Sequence, residues 1–413
     1  MSHRLVRWPY LVGLVVGLLG LIAVSCRSGS TPATAQPTAT GEALTASDVG
    51  ITPSEVLVGT SQALTGPAAL TKSTADGIRA YFEYVNANGG VHGRKLRLVV
   101  KDNAYDPAKA VAVAREMVTQ DKVFAVIGQL GTPPNVATYQ YYNEQQVPDV
   151  FLISGDPRFN DPKQYPYVSR FFPSYPQEAE LFWKYIQSNL PGKRVAVLYQ
   201  NDDFGKSFLK RFDELAGGAV VAQAGYETAA TDISSQMTSL KQSGADVLVQ
   251  FVTPKFAILA LKFIQNSGWK VANVMSSVNV DPAVVKIVGP QTLEGTVTST
   301  VVYLLDDASA PQVTPFKEAL AKYAPGVEPS IYTEWGFTVG QLFVDALKQA
   351  GRNPTRASLL KALENLRSVQ TLLLVPVSIS TSDHAAARCE RLTKYESGRF
   401  HYIGEAVCAT TPS

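Results

Sequence analysis

From residue 54 to residue 276 the chain repeats one unit: a short apolar run of strand length, then a stretch whose apolar residues recur every three to four positions. VLVGTSQAL (56–64) precedes a segment with Ala75, Ile78, Phe82 and Val85 on one helical face, and KLRLVVKDN (95–103) precedes a helix opening on Pro107. Continuous apolar runs bounded by turn residues read as strands buried on both faces, and the intervening period is that of amphipathic helices. A chain written this way has few folds open to it. Strands alternating with helices of this length specify parallel sheets covered on both faces.

The repeat comes in two sets. VFAVIG (123–128) and VPDVFLIS (147–154), with a helix over 133–146, complete the first. After FFPSYP (171–176), strands at 194–200, 220–226, 245–252 and 270–276 alternate with helices at 176–189, 204–217, 232–243 and 255–267. Two sets predict an α/β protein of two doubly wound parallel-sheet lobes. EGTVTSTVVY (294–303) is a further strand, followed by helices at 313–323, 331–350 and 355–366, the middle one striped by Val339, Leu342, Phe343, Ala346, Leu347 and Ala350. Helices without strands of their own must pack on a sheet already built, so this part is expected to return to the first lobe. The closing strands then finish the second. The expected lobes are 53–172 plus 299–368 and 173–298 plus 369–413, with the crossings forming a hinge.

The first residues bear on the compartment. Arg4 and Arg7 precede an apolar stretch from Tyr10 to Val24 that stops at Ser25 and Cys26, the layout of a signal peptide over 1–25. It is short for a membrane span, which takes about 20 apolar residues. Ala23-Val24-Ser25-Cys26 resembles a bacterial lipobox, with Ala23 where leucine is commoner, and implies a diacylated Cys26 as the mature N-terminus. A plain secretory signal with Cys26 removed or idle is the alternative. Residues 26–52, rich in Ser, Thr, Pro and Ala, cannot bury enough apolar surface to fold and read as a flexible tether. About 360 residues remain, enough for two domains.

Composition excludes several functions. With a net charge of +2 and no basic block interleaved with aromatics, nucleic acid is not an expected partner. The histidines are His3, His92, His384 and His401, too few and too scattered for a Ser/His/Asp or metal constellation. SxxK occurs at Ser207–Lys210 and Ser358–Lys361 without the KTG strand a penicillin-recognising enzyme needs. Gly205-Lys206-Ser207 ends like a P-loop, but Gln200 stands where that loop requires glycine. No catalytic residue, cofactor or metal is therefore expected. Cys389 and Cys408 flank a hairpin around Ser397-Gly398, nearly equidistant from the turn. In an oxidising compartment a disulfide is the natural reading, with a metal pair or two free thiols as alternatives.

In open parallel sheets, ligands bind beyond the carboxyl ends of the strands. The loops there, among them SQALTGP (61–67), KDNAYD (101–106), GQLGTPP (128–134), SGDPRF (154–159), QNDDFG (200–205), FVTPK (251–255) and SSVN (276–279), are rich in small polar residues. They suit a small polar group held by hydrogen bonds. Thr132 before Pro133 is an N-cap and first-turn signal, and a helix N-terminus in a cleft favours a carboxylate. Pro133 and Pro134 remove two donors, which shifts the load onto the Thr132 hydroxyl and N–H. The competing role for Thr132 is a cap serving only its own helix.

The runs TSQALTGPAA, ADGIRAYFEYVNANGGVHGRKLRLVVKDNAYDPAKAV, VFAVIGQLGT and VAVLYQNDDFGKSF resemble the leucine/isoleucine/valine-binding-protein family of type I periplasmic binding proteins, from about residue 54 to the final hairpin. The resemblance implies a Venus-flytrap fold that closes on a solute. It further implies a monomeric, extracytoplasmic lipoprotein that hands the solute to ABC permease subunits with their cytoplasmic ATPase. Carried over from amino-acid binders, the loop Leu130-Gly131-Thr132 and the loop Ser154-Gly155-Asp156 hold the α-carboxylate and help hold the amine, and Phe204 covers the side chain from the second lobe. One departure matters. The branched-chain amino acid binders carry an ammonium-pairing glutamate where this chain has Ser277, and an aromatic near Val252-Thr253 is also missing, which widens the wall at Thr253. Either Asp156 or Asp203 substitutes, or the ligand lacks an amine, because an unpaired buried ammonium is expensive. The expected solute is a hydrophobic or branched-chain amino acid; an aromatic carboxylate, an amide or a urea-like ligand, or a ligand-sensing role, is the alternative.

Overall fold

The computed structural model describes residues 42–409, so the signal segment, Cys26 and most of the tether lie outside the described residues. The tether was expected to reach residue 52, yet its last residues are fastened to the body. Thr45 N–H donates to Asn353 Oδ1 (2.9 Å), Ser47 Oγ donates to the Pro354 carbonyl (2.6 Å), and Asp48 Oδ2 accepts from Arg356 N–H (2.7 Å).

The first sheet contains β1 (Glu55–Gln62), β2 (Lys95–Asp102), β3 (Ala125–Ile127), β4 (Asp149–Leu152) and β5 (Val168–Arg170), in the order β2-β1-β3-β4-β5, all parallel. The second contains β6 (Val195–Gln200), β7 (Val220–Tyr226), β8 (Val247–Phe251), β9 (Ala272–Met275), β10 (Val297–Thr300), β11 (Cys389–Glu396) and β12 (Arg399–Cys408). Its order is β12-β11-β10-β9-β8-β6-β7, parallel except for the closing antiparallel hairpin. Every residue of β8 is buried, as burial on both faces requires. Edge strand β12 instead carries exposed Arg399 and Glu405, charges that discourage pairing with another chain. Cys389 faces Cys408 in the register of β11 and β12, and the two are disulfide-bonded.

The returning helices pack where loss of their own strands required. Helix Ile331–Gln349 lies on helix Ser73–Ala87 of the first lobe, with Trp335, Phe337, Val339 and Phe343 in one core with Ile78 and Phe82. A Cβ on Gly77 would stand 2.2 Å from the Thr333 carbonyl oxygen, and one on Gly336 2.0 Å from that of Thr74. Only glycine permits so close a backbone approach. The chain passes between the sheets three times: after β5, after β10 where Val302 bridges Leu373, and before β11 where Ala385 bridges Arg170.

Two expectations gave way locally. The helix over 133–146 is two short helices, Thr132–Val136 and Tyr139–Glu144, and β5, a three-residue strand ending in arginine, escaped the pattern altogether.

Candidate functional site

In each sheet the strand order reverses around one strand, β1 in the first and β6 in the second. Connections on either side of such a reversal leave in opposite directions and open a crevice at the carboxyl ends. The crevices of both lobes meet at one cavity of about 30 Å³. Ala68 and Thr71 reach it from beyond β1, Leu130, Gly131 and Thr132 from the end of β3, Phe204 from beyond β6, and Thr253 and Pro254 from beyond β8. Of the residues expected from the sequence, the structure therefore brings Leu130, Gly131, Thr132, Phe204 and Thr253 together.

Thr132 does not cap its helix. It is the first helical residue, after Gly131, and the helix is only five residues long. Its hydroxyl turns instead toward two others: Thr132 Oγ1 lies 2.8 Å from Ser154 Oγ and 2.9 Å from the Tyr175 phenol oxygen, with Ser154 Oγ 3.3 Å from that same oxygen. All three side chains are buried. Burial pushes the Tyr175 phenol up to about 12, so it stays protonated and able to donate near neutral pH. Gly155 makes room for the ring, since a Cβ there would stand 2.5 Å from Tyr175 Cδ1, and its carbonyl accepts from the Tyr175 N–H at 2.9 Å.

Neither acid proposed from the sequence lines the cavity. Arg158 binds both: its Nε donates to Asp156 Oδ1 (2.9 Å) and its Nη2 to Asp203 Oδ1 (2.8 Å), tying the first lobe to the second. Ser277 is also outside the lining, but it is not without an acid. Its N–H donates to Glu178 Oε1 (2.6 Å) and its hydroxyl to Glu178 Oε2 (3.2 Å). Ser299 Oγ then joins Glu178 (2.9 Å) to Glu390 (3.2 Å). Both carboxyls are buried; desolvation pushes Glu178 up to about 7 and, with the repulsion of Glu178, raises Glu390 well above the usual range.

Tyr105, Ile153, Phe172, Tyr175, Val278 and Trp335 complete the lining. Sequence reasoning passed over them. Tyr105 sits in a strand-end loop, and Trp335 lies four residues before Val339 on the apolar stripe, so period and position marked both. Tyr175 carried no such mark, standing in FFPSYP between the two sets. Tyr105 takes part in a second link across the cleft, where Gln200 Nε2 donates to its hydroxyl (3.2 Å) while Gln200 Oε1 accepts from Thr253 Oγ1 (3.1 Å) and the Tyr226 hydroxyl (3.2 Å). Buried His384 is occupied structurally, within 3.0 Å of the Val168 carbonyl and 3.3 Å of Glu364 Oε1.

A family model described as periplasmic binding protein matches residues 55–399. The chain belongs to that family. Membership implies a solute-binding role outside the cytoplasm, and among the described residues no helix is long and apolar enough to cross a membrane. An amino acid binding protein of Pseudomonas aeruginosa is 28% identical over 301 residues, covering 70% of this chain and 77% of its own. A Leu/Ile/Val-binding protein homolog 2 of Brucella abortus is 26% identical over 306 residues, covering 72% and 79%. A branched chain amino acid ABC transporter structure from Thermus thermophilus with bound valine superposes with a TM-score of 0.79 at 19% identity, over 86% of this chain and 97% of that one. A fatty acid ABC transporter substrate-binding protein from Thermomonospora curvata does so with 0.78 at 21%, over 88% and 95%.

Proposed function

We propose that this chain is the extracytoplasmic solute-binding component of an ABC importer, held to the membrane by a lipid on Cys26, and that its solute is a small monocarboxylate with an apolar body and no ammonium group. One observation carries the choice of solute: among the described residues no Asp, Glu, Lys, Arg or His lines the cavity, while its lining combines the hydroxyls of Thr71, Thr132, Tyr175 and Thr253 with Phe172, Phe204 and Trp335. A carboxylate can accept charge-assisted hydrogen bonds from Thr132 and Ser154. An ammonium buried beside it would lack a counter-charge, at a cost of several kcal/mol.

A hydrophobic amino acid is the second reading. The names of the relatives favour it, and so does Glu178, whose carboxylate is held on Ser277, the position where the resemblance expects an acid. Leucine and 4-methylpentanoate differ only in the ammonium group and therefore separate the two by isothermal calorimetry, as do phenylalanine and 3-phenylpropanoate. The expected result is binding of the acids with the amino acids at least about 100-fold weaker, the scale of an unpaired buried ion. Tighter binding of the amino acids would overturn the choice and assign Glu178 to the ammonium.

A further inference from the structure

The turn Pro157–Phe159 is anchored in the first lobe, where Phe159 packs with Tyr139, Leu152 and Val168. On it, Arg158 is already oriented by its own lobe. Its N–H and its Nε both donate to Asp156 Oδ1, at 3.0 and 2.9 Å, and the Asp156 N–H donates in turn to Ser154 Oγ at 3.2 Å. Asp156 is buried, so this arrangement is fixed from inside. One edge of the guanidinium is thus engaged at home, and Nη2 reaches across the cleft to Asp203 Oδ1 at 2.8 Å. Asp203 opens helix Asp203–Ala216, whose Phe204, Phe208 and Phe212 lie in the core of the second lobe. Both feet of the bridge adjoin the solute cavity: Ser154 shares a hydrogen bond with Thr132 at 2.8 Å, and Phe204, next to Asp203, lines the cavity.

We propose that Arg158 is a positioning residue that seats the second lobe over the solute: held by Asp156 on its own lobe, it gains Asp203 only when the lobes close, and the added ion pair favours closure around whichever solute is held. The proposal rests on the solute-binding role given above, not on the identity of the solute. Parting the lobes separates Asp203 from Arg158 and leaves the Asp156 pair intact. Because Asp156 has already ordered the guanidinium, little side-chain freedom remains to be lost when Asp203 arrives. Closure favoured in this way raises the affinity for every solute by one factor, since neither Arg158 nor Asp203 lines the cavity.

Asp203 is the residue to change, because its side chain is 43% exposed, whereas loss of Arg158 also strips buried Asp156 of its charge partner. Calorimetry with 4-methylpentanoate, 3-phenylpropanoate, leucine and phenylalanine compares wild type, Asp203→Ala, Arg158→Gln and the double variant. The expected result is a loss of roughly two- to fivefold for D203A, the scale of a partly exposed ion pair, equal for every compound that binds, and no further loss from D203A in the R158Q background. No loss from D203A overturns the proposal. So does a loss confined to the amino acids, or an equal loss in both backgrounds, either of which would mean that Asp203 acts without Arg158, as a partner of the ammonium would. If R158Q does not fold, Asp203→Lys sets two cations face to face and should bind more weakly than D203A; affinity equal to or above that of D203A overturns the proposal. If none of the four compounds binds wild type, the solute reading fails and the bridge is judged separately, from the distance between spin labels on Lys163→Cys and Lys210→Cys, exposed positions in opposite lobes. The share of molecules at the short distance should be smaller in D203A, and an equal share would refute the bridge.

Discussion

Glu178→Gln should make the protein more stable at alkaline pH and flatten its pH dependence. Folding takes the Glu178 carboxyl out of water, and this desolvation, only partly offset by the hydrogen bonds from Ser277 and Ser299, raises it from an ordinary 4.5 to about 7. Between those values the folded protein keeps a proton that the unfolded chain has released. Stability therefore falls as pH rises, with the full penalty reached above the folded value. Each tenfold in proton affinity is about 1.4 kcal/mol, so ionising the folded carboxyl costs about 3 kcal/mol in all, of which about 2–3 kcal/mol is lost between pH 5 and pH 8. Glutamine keeps the shape and the protonated pattern. Its carbonyl can accept from Ser277 N–H and Ser299 Oγ, and its amide can donate to Ser277 Oγ, the groups that now hold the carboxylate. Urea denaturation at pH 5 and pH 8 measures the effect: E178Q should match wild type at the lower pH and exceed it by about 2–3 kcal/mol at the higher. A shallower slope will persist, because Glu390 is still buried and still titrates. Parallel curves for the two proteins, or an E178Q that is the less stable at pH 8, would refute the reasoning.

Thr132→Ala should weaken solute binding by about 1–3 kcal/mol, the cost of leaving a buried polar partner unpaired, as read by calorimetry with 4-methylpentanoate. Affinity equal to wild type would leave Thr132 a structural hydroxyl. Cys26→Ser should move the protein from the membrane fraction to the soluble one, and a variant that stays with the membranes would argue against the lipid.

Much of the architecture was legible in the sequence, and for a local reason. Continuous apolar runs such as VLVQF and the stripe from Val339 to Leu347 state how each segment must be buried, and that is a property of neighbours along the chain. The strand-end loops followed, because a parallel sheet has its crevice at one end, and five of the expected residues meet there. Hydrogen-bond partners were not legible. Thr132-Pro133 has the local form of a cap, but the Thr132 hydroxyl finds Tyr175, 43 residues away, only in the folded protein. Asp156 and Asp203 looked available until Arg158 bound both, and Ser277 proved to donate to the carboxyl of Glu178, 99 residues earlier.

The sequence by itself thus determined two parallel sheets, the returning helices and the loops that face the cleft, because burial periodicity is written residue by residue. Tertiary structure alone decided which polar groups meet in that cleft. Such partners are chosen by proximity, and proximity between distant residues exists only once the core has been packed.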